Sequence, residues 1–212
     1  MITISAFKWV PPFAQGHVRD LRARWALEEA GLPYRERLID RDDQGSAAYR
    51  ALQPFGQVPA LEEDGLVMFE SGAIVLHIAA RSEALLPAQD PARSRAVTWL
   101  LAALNTIEPV VQPLAEIDVF YADQEWAKLR RPDAETAVKR RLAELSAWLG
   151  DRDYLDGGFT AGDLMMATVL RNLEHTDLLD GEPTLKAYLA RCLGRPAFQR
   201  ALDAQLAAFT RH

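Results

Sequence analysis

Gln57-Val58-Pro59-Ala60-Leu61-Glu62-Glu63-Asp64-Gly65-Leu66-Val67-Met68-Phe69-Glu70-Ser71-Gly72-Ala73-Ile74 is the stretch from which the rest of the chain can be placed. Pro59 has no N–H to give to a central β-ladder, so a strand has to begin just after it, with Ala60-Leu61. Asp64-Gly65 is a dipeptide that tolerates positive φ, and Leu66 to Phe69 reads as the returning strand of a hairpin over 58–69. From Ser71 onward, Ala73-Ile74-Val75-Leu76-His77-Ile78-Ala79-Ala80 is a good helical run.

The same stretch carries recognition chemistry. The prolyl bond is the one low-cost place for a cis peptide, an arrangement that would turn the Val58 N–H and C=O toward solvent and let an extended peptide pair with them. The Ser71 hydroxyl, the free N–H groups of the first helical turn and the helix dipole make a site for a carboxylate. Glu70 can accept a hydrogen bond from an ammonium. Taken singly, a capping serine, a first-turn acid and an edge proline are routine features of folded chains. Together they describe a site for an extended peptide bearing both an acid and an amine.

Outward from this stretch the chain divides into unlike halves. Residues 1–80 alternate: a strand near 2–7, a helix near 18–30 closed by Gly31 and Pro33, a strand near 34–40, a short helix near 46–52, the hairpin, and the helix from 71. That β-α-β-α-β-β-α order predicts an α/β domain over 1–81 with a mixed sheet. Residues 82–90 lose periodicity, contain Pro87, and are expected to be a linker. Residues 91–212 hold no strand pattern and predict an all-α domain, with helices near 91–120, 133–149, 161–178, 184–193 and 196–208. Pro132, Gly157-Gly158, Gly181-Glu182-Pro183 and Gly194-Arg195-Pro196 punctuate them. Thr160 and Asp163 have the spacing of a capping box.

Composition narrows the classes of function. The 212 residues, 49% hydrophobic and 25% charged, can bury a full core. A net charge of −6 argues against sequence-independent binding of nucleic acid. No apolar run reaches membrane-spanning length, and the start, Met1-Ile2-Thr3-Ile4-Ser5, lacks the basic and apolar regions of a leader; a cytoplasmic location is expected. One cysteine, Cys192, and four scattered histidines provide neither a disulfide framework nor metal-ligand spacing, so no metal is expected.

Four separated motifs in order, Arg24-Trp25-Ala26-Leu27-Glu28-Glu29-Ala30-Gly31-Leu32-Pro33-Tyr34, Gln57 to Leu61, Glu70-Ser71 and Thr160 with Asp163, give the chain a resemblance to the cytosolic glutathione S-transferase superfamily, as a bacterial member of no assigned class. The resemblance spans essentially the whole chain. It implies a thioredoxin-like N-terminal domain, an all-helical C-terminal domain, a homodimer, and glutathione as co-substrate in detoxification chemistry. By the same resemblance Val58 pairs through its backbone with the cysteinyl unit, Pro59 is a cis-proline, Glu70 and Ser71 hold the γ-glutamyl ammonium and carboxylate, and Gln57 lies near the glycyl end.

The reactive end departs from the family pattern. Its transferases place a Tyr, Ser or Cys near the first strand or helix to hold the glutathione thiol as thiolate, yet residues 6–33 contain none of the three. Counting back from Gly31 puts His17 where a serine would stand; counting forward from the strand reaches Lys8 or Trp9 instead. His17, Gln15, Trp9 and Lys8 each carry a donor or a charge able to lower a thiol pKa, and His17 is the candidate catalytic residue. Two adjacent prolines, Pro11 and Pro12, keep Trp9 to Phe13 out of any ladder, so Trp9 and Phe13, with Tyr121 from the second half, are the candidate wall of a pocket for a second, apolar electrophile. Asn105, Glu108, Gln112 and Glu116 recur at helical spacing before Tyr121 and are candidates for the same face. The expected activity is transfer of the glutathione thiolate to a small electrophile. The alternative, prompted by the missing hydroxyl or thiol, is a non-catalytic glutathione-binding or protein-interaction module.

Overall fold

β1 (Ile2–Phe7) lies inside a four-stranded sheet of order β2-β1-β3-β4, and the computed structural model describes residues 1–211. β1 pairs in parallel with β2 (Tyr34–Ile39), from Ile2 opposite Tyr34 to Phe7 opposite Ile39. On its other side it runs antiparallel to β3 (Ala60–Glu63), which is antiparallel to β4 (Leu66–Phe69). The two-residue hairpin loop has positive φ at both positions, 49° at Asp64 and 88° at Gly65, as its Asp-Gly composition requires. The parallel connection is made by α1 (Asp20–Ala30), which stops at Gly31 in the left-handed conformation (φ 65°).

Between β2 and β3 the expected single short helix is two, α2 (Arg41–Gly45) and α3 (Ala47–Leu52). Asp40 starts the first by accepting the Asp42 and Asp43 N–H groups, and Ser46 ends it and caps the second through the Tyr49 N–H. α4 (Ser71–Ala79) follows the hairpin. The expected linker at 82–90 is partly anchored, because Leu85 and Leu86 are buried.

The described residues form two compact units, 1–88 with 194–211, and 89–193. The division falls within 82–90, but the last helix, α10 (Pro196–Ala208), groups with the α/β unit and not with the helices that precede it. Trp25 on α1 explains this. It is completely buried, with Phe198 edge-on to its ring at 4.8 Å. Around this contact Arg195 makes a two-pronged ion pair with Glu29 (2.6 and 2.8 Å), Arg200 pairs with Glu28 (2.8 Å), and the Gln205 amide donates to buried Asp20 (2.7 Å).

In the second unit, α5 (Ala92–Ala102) and α6 (Glu108–Phe120) are joined by a π-helical turn over Ala103–Ile107, filling the expected 91–120. α7 (Glu125–Leu149) begins before Pro132 and runs through it, where Pro132 was expected to separate two helices. A proline removes one helical hydrogen bond. Here Arg131, paired with Asp118 at 2.7 and 3.0 Å and with Glu135, and Ala127, fully buried, hold the preceding turn in place. α8 (Ala161–Leu170) ends in a 3-10 turn at Leu173, short of the expected 178, and α9 (Pro183–Leu193) closes the unit. α8 is buried along its whole length, and its Thr160–Asp163 capping box is formed.

Candidate functional site

The sheet register brings the candidate recognition residues together. Ala60 pairs with Phe69, so Val58-Pro59 and Glu70-Ser71 flank the same open end of the hairpin. The Val58–Pro59 peptide is cis. Around it the backbone is held by side chains: the Gln44 amide donates to the Gly56 C=O (2.6 Å), the Tyr49 hydroxyl to the Gln57 C=O (2.6 Å), and the Ala60 N–H donates to the buried Ser5 hydroxyl (2.7 Å). Val58 alone in this run keeps both its N–H and its C=O without a hydrogen-bond partner among the described residues. Its side chain packs inward on Ile39 and Tyr49. The side chain of Gln57 is exposed.

On the other side of the opening, Glu70 stands immediately before α4 with φ 71°, in a region that side chains rarely adopt. Its carboxylate is exposed and meets no partner among the described residues. Ser71 is buried at the first position of α4, and its hydroxyl accepts a hydrogen bond from Arg22 Nη1 (3.2 Å), which reaches over from α1. Arg22 is itself only 3% exposed. The first turn of α4, Ser71-Gly72-Ala73, carries N–H groups and no bulky side chain, so a carboxylate there meets helix N–H groups, a hydroxyl and a nearby guanidinium.

The loop after β1 assigns the sequence candidates for thiol activation unequally. Lys8 is engaged by Asp40 (2.7 Å) and Asp43 (3.3 Å), and these hydrogen bonds raise its pKa. The Gln15 amide donates to the Val10 C=O (3.2 Å). His17 is exposed in a turn, its N–H bonded to the Ala14 C=O (3.0 Å), and α1 starts only at Asp20. Trp9 and Phe13 are 62% and 53% exposed.

The glutathione S-transferase N-terminal domain family matches residues 14–80, which include the whole of this opening. A glutathione S-transferase of Hyoscyamus muticus is 31% identical over 175 residues, 76% of this chain and 81% of the relative. Among solved structures, a theta class glutathione S-transferase of Xanthomonas axonopodis pv. citri, with glutathione bound, is 31% identical with a TM-score of 0.79, covering 95% of this chain and 96% of that one. A glutathione transferase of Burkholderia graminis, with two glutathione molecules bound per subunit, is 27% identical with a TM-score of 0.83, covering 96% and 88%.

The chain belongs to the glutathione S-transferase family.

Within this glutathione S-transferase fold the remaining candidates fall in the second unit or serve structure. Tyr121 follows the end of α6, and its ring lies tilted 5.1 Å from that of Trp126 beside a cavity of about 310 Å³ that Pro113 and Arg130 also line. Of the polar stripe leading to it, Glu108 is buried, and the π turn at 103–107 shifts the register that simple helical spacing assumed. His77 and His175 make hydrogen-bond contacts with Glu63 (3.2 Å) and Asp118 (3.1 Å). Among the described residues no group of His, Cys, Asp and Glu could hold a metal ion, and no helix is long and apolar enough to cross a membrane. Sequence reasoning missed Arg22, Ser5 and Tyr49. A charged residue on α1 and a serine in β1 give no sign, in one dimension, that they face the 57–71 opening.

Proposed function

We propose that this protein is a glutathione-dependent transferase that binds glutathione along Val58, with the γ-glutamyl carboxylate at the start of α4 on Ser71 and the ammonium on Glu70. One observation carries the reading: Val58 presents an unpaired N–H and C=O in a loop whose neighbouring backbone groups are tied, beside an unpaired carboxylate. Gln57, exposed next to Val58, reaches the glycyl end. Solved relatives with bound glutathione support the ligand. The bound thiol is made reactive by His17 or by N–H groups of the loop, and attacks a small apolar electrophile against Trp9 and Phe13. Lowering a thiol pKa from about 8.5 to about 6.5 takes only ~2.7 kcal/mol of preferential thiolate stabilisation, within reach of two N–H donors and a helix dipole. The relative with two glutathione molecules favours a second chemistry on the same site, reduction of a disulfide substrate by two glutathione thiols without a protein cysteine.

The test is calorimetric titration with glutathione followed by ultraviolet titration of the bound thiol. A thiol pKa shifted well below its free value is expected. A bound thiol that titrates at its free value leaves a binding module and no transferase; His17→Ala with the lowered pKa intact removes His17 as activator. A cytosolic location and assembly as a homodimer belong to the same reading. Phe55 (64% exposed) packs on Phe69 at 6.0 Å beside exposed Leu66 and Val67 on the edge strand, an apolar surface suited to a second copy. Sedimentation should give a dimer that Phe55→Asp weakens.

A further inference from the structure

We propose that Ser5 and Tyr49 form a directed hydrogen-bond relay that positions Val58 for glutathione; the inference rests on the glutathione reading above. The direction follows from what each group can do. The Ala60 N–H can only donate, and it donates to Ser5 Oγ at 2.7 Å. The Gln57 C=O can only accept, and it takes the single Tyr49 hydroxyl proton at 2.6 Å. The 2.7 Å contact between the two hydroxyls must then be made by the Ser5 proton, donated to Tyr49 Oη. The relay runs from Ala60 through Ser5 and Tyr49 to Gln57, and both of its hydroxyl protons are committed.

Its two ends are the peptide groups on either side of Val58-Pro59. The relay therefore ties the backbone before and after the one residue whose N–H and C=O remain open, in a buried setting where Ser5 is 3% and Tyr49 4% exposed. Such ties hold the peptide-pairing edge in its bound form before the ligand arrives, so less ordering cost falls on binding. Packing alone does not call for these hydroxyls. The Tyr49 ring sits in an apolar cluster with Ile39 and Val58, a place that phenylalanine would fill equally well. The hydroxyl proton goes instead to the loop.

Amide hydrogen exchange and glutathione calorimetry test the relay together, on wild type, Tyr49→Phe, Ser5→Ala, the double variant and Ser71→Ala. In the wild type, the Ala60 amide should be protected and the Val58 amide should exchange quickly until glutathione is added. Tyr49→Phe should weaken glutathione binding on the order of tenfold, as expected for a partly buried carbonyl left unsatisfied, and speed exchange at Ala60 while amides of β1 and β2 keep their rates. The double variant should lose no more than the worse single one, since both hydroxyls serve one chain of bonds. Tyr49→Phe binding within twofold of wild type, while Ser71→Ala binds much more weakly, would overturn the relay and leave the glutathione reading intact. A Val58 amide already protected without ligand would also overturn it. Wild-type protein that takes up no glutathione would overturn both.

Discussion

Glu70, the proposed partner of the ammonium, holds a backbone conformation that costs the fold. Its φ of 71° costs roughly 1–3 kcal/mol for a residue with a side chain, and glycine at that position would avoid most of it. Glu70→Gly is expected to raise unfolding free energy by about 1 kcal/mol while weakening glutathione, measured by chemical denaturation and calorimetry on the same preparation. Glu70→Gln and Ser71→Ala should each weaken binding by about 1–3 kcal/mol, as for a lost charge-assisted hydrogen bond. Unchanged affinity in both would refute their assignment. Glu63, at the end of β3, makes a pH prediction. Hydrogen bonds from Arg81 at 2.8 and 2.5 Å, helped by His77, bring its carboxyl down to about 2 from an ordinary 4.5. Because the folded value lies below the unfolded one, its stabilisation is complete above the ordinary value and is lost as pH falls toward 2. Arg81 lies at the surface, where screening leaves about 1 kcal/mol. Between those pH values Glu63→Gln should lose less stability than wild type by that amount in urea titrations.

At the scale of elements, the start of α8 is where a local motif and a buried core coincide. Asp163 is completely buried and accepts the Leu155 N–H (2.9 Å), the Thr160 N–H (2.9 Å), the Thr160 hydroxyl (3.1 Å) and the Tyr188 hydroxyl (3.1 Å). Burial pushes its pKa up against the pull of the two amides. Asp163→Ala would leave several of these donors unsatisfied and should cost about 3 kcal/mol, against about 1 kcal/mol for Thr160→Ala. Equal losses in thermal unfolding would show that the motif acts only as a cap. This box was legible because its partners are three residues apart. Pro132 was misread for a related reason: proline's local preference points to a break, whereas Arg131 is tied to Asp118 on another helix, a partner that no local window contains.

At the scale of the molecule, α10 decides whether the α/β unit is complete. It covers Trp25 with Phe198 and joins α1 through Glu28, Glu29 and Asp20. Removing residues 194–212 would expose that face, an apolar and ionic loss on the order of 5 kcal/mol, comparable to the whole stability of a small domain. The truncated chain is expected to lose the cooperative unfolding of its α/β unit, followed by near-ultraviolet dichroism of Trp25. A truncated chain with the wild-type transition would show that α10 is dispensable.

The hairpin at 58–69, the helix from Ser71 and the alternation of strands and helices before residue 80 were legible in one dimension, and so was the proposal that Val58, Glu70 and Ser71 take part in recognition. Each of these rests on neighbours within a few positions, where backbone chemistry alone dictates the answer. That Arg22 meets Ser71, that Ser5 and Tyr49 tie the loop around Val58, and that the last helix covers the first emerged from the folded chain alone. The Arg22–Ser71, Ser5–Tyr49 and Trp25–Phe198 pairings join residues separated by tens to more than a hundred positions, and a buried polar group shows its partner only after the chain has closed around it.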